Sequence, residues 1–215
     1  MPCLAPVNAP GTPHFSTKQR ILDVAESLFA EHGFAGTSLR LVTSQAAVNL
    51  AAVNYHFGSK DNLIAEVFRR RMDEMSRLRL ERLAQARRSE PLVLEEVLRA
   101  FIEPALALSL DRDGAAAFVR VLARAYAERN ERLRKFLSDH YGHVLREFSH
   151  ALARCFPALD KEALYWRLDF LAGALTYAMA DFGLLRRSSS ASEKAHCERA
   201  ASELVAFAAA GFRAG

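Results

Sequence analysis

The chain is poor in the residues that staple a fold or carry out chemistry. Its 215 residues include three cysteines, Cys3, Cys155 and Cys197, far apart and without a CxxC pair. So odd and scattered a set supports neither a disulfide framework nor a thiolate metal site, and it fits a reducing, cytoplasmic setting. Proline is scarce as well: there are seven, and four of them (Pro2, Pro6, Pro10, Pro13) crowd the first thirteen residues. That opening shows no apolar period and reads as a disordered tail over residues 1–15. It lacks the basic start and long apolar core of a signal peptide, so export is not expected. No apolar run approaches the roughly 20 residues of a membrane span. Alternating Val/Ile/Thr stretches, the mark of strands, are missing, and so is any internal repeat. There is no GxSxG run and no Gly-rich phosphate loop, so neither nucleophilic nor nucleotide chemistry is indicated, and no cofactor is implied.

What the chain does have is an ordinary soluble composition, 51% apolar and 25% charged, with an uneven net charge of +4. Residues 1–88 carry 12 Lys/Arg against 8 Asp/Glu, while residues 89–215 carry 17 of each. The excess positive charge therefore lies in the first part, where it favours a polyanionic partner. From residue 16 onward the apolar period is helical. Ser16 and Gln19 form a capping box ahead of Ile21, Ala25, Leu28 and Phe29, and Gly33 supplies a stop. Thr37 is expected to cap a short second helix with Leu39, Val42, Thr43 and Ala46 inward. Asn49 caps a third, anchored by Val53 and Phe57 and ended by Gly58-Ser59. Ser59 then caps a long helix running to about Arg88. Five more are expected near 91–110, 114–128, 130–155, 160–187 and 193–213, with joints at Asp111–Gly114, Phe156-Pro157 and the serine run 188–190, and a kink at Pro104. The fold class is all-α, with an N-terminal three-helix unit over 16–62 and a larger helical unit over 63–215.

Two short helices joined by Ala47-Val48, with a helix packed behind them, are the parts of a helix-turn-helix, whose second helix lies in the DNA major groove. With Val53 and Phe57 inward, Leu50, Ala51, Asn54 and Tyr55 form the opposite face. Small side chains at Ala51 and Ala52 let the backbone approach base edges. Asn54 suits a bidentate pair with adenine, and Leu50 and Ala51 suit thymine methyls. Thr37, Arg40, Tyr55, His56 and Lys60 are candidate donors to phosphates, which hold register without reading sequence.

The stretch GFAGTSLRLVTSQAAVNLAAVNYHFGSKDNL (33–63) resembles the DNA-binding domain of the TetR family of bacterial transcriptional regulators. The matching positions are Thr37, Ala47-Val48-Asn49, Tyr55-His56-Phe57 and Lys60. Ala47 stands where the family usually has glycine, so its turn is expected to avoid a strongly positive φ. Asn54 stands where an aromatic is common. More narrowly, the wording resembles the PsrA-type branch, whose members respond to fatty acids or acyl derivatives. The resemblance implies a homodimer, most often a repressor, that a small hydrophobic effector releases from a double-stranded DNA operator.

It also implies that the larger unit dimerises and binds the effector. LDFLAGALTYAMADFG (168–183) and LVAFAAAGF (204–212) alternate large and small residues, which suits close helix packing. Leu168, Leu171, Ala172, Leu175, Ala178, Met179, Phe182, Leu204, Phe207, Ala208 and Phe212 are the expected dimer contacts. Nine of the fourteen phenylalanines follow residue 100, and Phe101, Phe118, Phe136, Phe148 and Phe170 are candidate linings of an apolar cavity. Two other readings stay open. His143, Glu147 and His150 share a helix face and could bind a metal, as in a helical metalloenzyme, although no second ExxH run appears and no metal is assigned. Alternatively, the larger unit could dock a partner protein through its arginines, with the helix-turn-helix vestigial.

Overall fold

The computed structural model describes residues 16–109, 115–128, 130–180 and 192–214. The 1–15 tail, the 111–114 joint, the serine run and Phe182 lie outside them. Every element among the described residues is helical: α1 Thr17–Gly36, α2 Leu39–Gln45, α3 Leu50–Phe57, α4 Lys60–Ala86, α5 Leu94–Ser109, α6 Ala115–Ala127, α7 Glu131–Cys155, α8 Lys161–Ala180 and α9 Glu193–Arg213. Local chemistry sets most of the starts. Ser16 Oγ accepts from Gln19 N while Gln19 Oε1 accepts from Ser16 N, so the capping box is complete. Asn49, Ser59 and Asn130 cap α3, α4 and α7 with a side-chain oxygen that accepts from the backbone N three residues on. Gly33 takes φ 73° and ψ 175°, and after that break one more helical turn completes α1. α5 runs through Pro104 without a break.

Two apolar cores meet along α4. The first joins the inner faces of α1, α2 and α3 to Leu63, Ile64, Val67 and Phe68, and it borrows Phe118 and Val121 from α6 and Leu133 from α7. Phe29, Phe68 and Phe118 are fully buried there, each contributing about 1.5–3 kcal/mol of transfer free energy. The second core fills the space between the rest of α4 and α5, α7, α8 and α9. The small N-terminal unit is therefore seated on the larger one through α4, α6 and the start of α7. An ionic knot reinforces the seat. Glu26 on α1 is 2% exposed and bonds Arg70 and Arg71 of α4, while Asp23 takes Arg70 at 2.5 Å. Truncating either side of such a pair would strand a buried charge.

Candidate nucleic-acid interface

α2 and α3 form the helix-turn-helix. The turn between them is closed by Ala47 N donating to Ser44 O at 3.3 Å and Val48 N to Thr43 O at 3.0 Å. Ala47 does not avoid the left-handed region as expected. It sits at φ 51°, because a tight turn is needed to bring Asn49 into capping position, and a methyl side chain bears that conformation at modest cost. Asn49 Oδ1 then accepts from Ala52 N at 2.8 Å and starts α3. Val53 (0% exposed) and Phe57 (5%) pin α3 to the core. Gly58 at φ 73° ends it, Gly58 N donating to Asn54 O. Asn62 Nδ2 reaches back to Phe57 O at 2.9 Å, locking the α3–α4 corner that carries Lys60.

The opposite face of α3 is open. Tyr55 is 86% exposed and Leu50 42%, Ala51, Asn54 and His56 are exposed, and Ala52 is half-buried. Arg40 on α2 is exposed, and Lys60 is half-buried at the head of α4. The structure thus brings Leu50, Ala51, Asn54 and Tyr55 onto one solvent-facing ridge. Tyr55 and His56 touch edge to face, their ring centroids 5.1 Å apart.

Thr37 is placed otherwise. Its side chain is 1% exposed, and its hydroxyl faces Gly33 O at 2.8 Å and Leu28 O at 3.1 Å, so it staples the end of α1 rather than offering itself to a phosphate. The α2 cap is Ser38, whose exposed hydroxyl accepts from Leu41 N at 3.1 Å. Ser38 is a residue that the sequence reading passed over. Two adjacent hydroxyl residues can each cap, and here the Thr37 hydroxyl is engaged by α1 carbonyls, which leaves the cap to Ser38. Beside the motif, the Lys18 ammonium donates to Glu66 at 2.9 Å. That bond, helped by Arg69, holds the Glu66 carboxyl below the usual range against partial burial.

In the larger unit the expected contacts are redistributed. Leu168, Leu171, Leu175, Met179, Leu204, Ala208 and Phe212 are buried in this chain's own core and have little surface left for a second copy; Ala172 and Ala178 are half-buried. Among the described ones only Phe207, 72% exposed, keeps an open side chain. The exposed apolar stripe of α8 is Tyr165, Trp166, Phe170 and Tyr177, with Trp166 and Phe170 rings 5.8 Å apart. Gly173 on α8 and Gly211 on α9 face open space.

The five phenylalanines do not converge on one cavity. Phe101 and Phe148 meet edge to face at 5.0 Å in the second core. Phe118 packs on Phe68 at 5.6 Å in the first. Phe136 lies under the Arg69 guanidinium, and Phe170 is 67% exposed. A buried cation missed from sequence lies beside the first pair: Arg79 donates to Phe101 O at 2.9 Å and stacks on the Phe101 ring. On α7, Glu147 is paired with Arg87 at 2.8 Å, and no group of potential metal ligands is assembled among the described residues. None of the described helices is long and apolar enough to cross a membrane.

Fold and ridge together define a helix-turn-helix protein with a second, all-helical domain. Residues 21–67 match the model described as bacterial regulatory proteins, tetR family, and residues 99–211 match the one described as tetracyclin repressor-like, C-terminal domain. The chain belongs to the TetR family, which is a family of transcription regulators rather than enzymes. It is 34% identical over 87 residues to the HTH-type transcriptional regulator AcrR of Shigella flexneri, a match spanning 40% of each chain. It is 31% identical over 58 residues to the HTH-type transcriptional repressor KstR2 of Rhodococcus jostii, covering 27% of this chain and 28% of that one. The match thus spans well under half the length of these curated relatives. The TetR family transcriptional regulator PfmR of Thermus thermophilus shares the fold more broadly, at 21% identity, with a TM-score of 0.56 and coverage of 94% of this chain and 98% of that one.

Proposed function

We propose that this protein is a homodimeric one-component repressor whose α3 reads a near-palindromic operator, and that a small apolar effector bound by the larger domain releases it. The observation that carries the DNA reading is the α3 ridge: Leu50, Ala51, Asn54 and Tyr55 exposed on a helix pinned from behind by Val53 and Phe57. Such a ridge has no apolar partner among the described residues, and its chemistry suits base edges. Arg40, Ser38, His56 and Lys60 surround it as backbone contacts. The homodimer is supported by the aromatic stripe Trp166–Phe170–Tyr177 with Phe207, since exposed apolar patches of this kind mark interfaces, and by the open glycines that let a second helix come close. A dimeric reader of this kind holds its two recognition helices about one DNA turn apart. The finer reading, a fatty acid or acyl-CoA as effector, is supported by the wording of residues 37–60.

The test uses the full-length protein and a duplex selected by it. Asn54→Ala is expected to cost about 1–3 kcal/mol and to relax preference at one base pair per half-site. Lys60→Ala is expected to weaken all sequences alike and to lower the salt dependence. Titration with fatty acids and acyl-CoAs, followed by fluorescence anisotropy, should then release the labelled duplex. Unchanged affinity in the presence of every such ligand would refute the effector reading while leaving the operator reading intact.

A further inference from the structure

The start of α7 stands beside the start of α4. Arg132 Nη1 lies 2.5 Å from Asp61 Oδ2. Farther along, Arg69 covers the Phe136 ring at 5.0 Å and meets His140 Nε2 at 3.3 Å, and Tyr141 donates to Asp73 at 2.7 Å. The pairs 61/132, 69/136 and 73/141 rise together, so the two helices run parallel with their first turns level. Leu133, 5% exposed, is sunk in the core of the helix-turn-helix unit and fixes that turn of α7 to the smaller domain. The first turn of α4 follows α3 directly and carries Lys60. Asp61, in that same turn, suits the positive end of the helix but would repel a phosphate approaching Lys60. Arg132 is bonded to Asp61 and is itself 83% exposed.

We propose that Arg132 is a DNA-backbone residue: a cation supplied by the larger domain to the phosphate track at the head of α4, tethered there by Asp61. The inference rests on the operator reading above. It makes the larger domain part of the DNA surface, so that displacing the start of α7 weakens operator binding directly, without any change in α3.

The experiment compares Arg132→Ala, Arg132→Lys and Lys135→Ala dimers on the selected duplex by anisotropy at four salt concentrations. Lys135 is the control, an exposed cation one turn along α7 that is paired within its own helix to Asp139. Arg132→Ala is expected to weaken binding about tenfold near 0.1 M salt and to lower the slope of log K against log salt by about two, one phosphate per protomer. Arg132→Lys should restore most of the slope, and Lys135→Ala should leave affinity and slope at the wild-type values. Thermal unfolding of Arg132→Ala should stay close to wild type, since an exposed ion pair contributes little to stability. An Arg132→Ala dimer with unchanged affinity and slope would overturn the proposal, as would a loss matched by Lys135→Ala. A wild-type protein that selected no site would instead overturn the operator reading.

Discussion

Gly33→Ala tests how the two domains are joined. Gly33 sits at φ 73° and ψ 175°, a region essentially reserved for glycine, and a non-glycine residue held there costs about 1–3 kcal/mol. A methyl group added at this point would also fall on Glu128 Oε1. That carboxylate, at the end of α6, accepts from Phe34 N at 3.1 and 3.2 Å and from Ala35 N at 3.4 Å, and so caps the last turn of α1 from the other domain. Pushing it aside weakens charged hydrogen bonds worth about 1.5–3 kcal/mol. The reduced freedom of alanine in the unfolded chain returns about 0.4–1 kcal/mol. The expected net loss is about 2–4 kcal/mol, or roughly 5–15 °C in Tm for a chain of this size. The assay is thermal unfolding by circular dichroism at one protein concentration, since the proposed dimer would link Tm to concentration. The double variant with Glu128→Ala completes the cycle. With the carboxylate gone the collision disappears, so Gly33→Ala should cost only its backbone strain, and the two losses should fall short of additivity by about 1–2 kcal/mol. A Gly33→Ala protein within about 0.5 kcal/mol of wild type would refute the reasoning. An additive cycle would also count against it.

Other expectations follow from single features. Ala47→Gly relieves a left-handed alanine and should raise stability by about 0.5–1 kcal/mol in denaturant titration; a loss would show that the turn is unstrained. Phe207→Glu puts a charge on the exposed aromatic face and should shift sedimentation from dimer to monomer, whereas an intact dimer would remove that face from the interface. Glu66, Glu95 and Glu147 are each held below the ordinary carboxyl value of 4.5 by hydrogen bonds from Lys18, Arg213 and Arg87 respectively. Depressed folded values mean that this stability is complete above pH 4.5 and lost as pH falls through them. Tm should therefore hold on acidification to about pH 4.5 and drop below it, and Lys18→Met should shallow the drop; a Tm insensitive to that change would deny Lys18 its role.

Much of the fold was legible because its helix starts are written in local chemistry. Ser16, Asn49 and Ser59 need only the residues three positions on to act as caps. Thr37 and Ser38 show where such reading stops. Both can cap, and the choice is made by the bonds from Thr37 to Gly33 O and Leu28 O on α1, which the break at Gly33 brings within reach and a cap pattern read forward along the chain does not weigh. The α3 ridge was legible because Val53 and Phe57 leave one face unclaimed. On α8 and α9 the pattern identified the helices and not the side. Both helices carry apolar residues on two stripes, and periodicity alone does not say which stripe meets the chain's own core. Leu171 and Leu175 turned inward, while Trp166 and Phe170 turned out. Glu128 and Arg132 were illegible for another reason: each acts on a partner about 70 to 95 residues away, and charged residues near helix ends are too common to single out.

Selection of binding sites from a random duplex pool by the purified full-length protein, with the winning site retested at two salt concentrations, tests the central claim most directly. A near-palindromic site is expected, bound as a dimer, far more tightly than random DNA, and weakened by salt. A folded protein that enriched no site, or that bound all duplexes alike, would contradict the assignment of the α3 ridge to an operator.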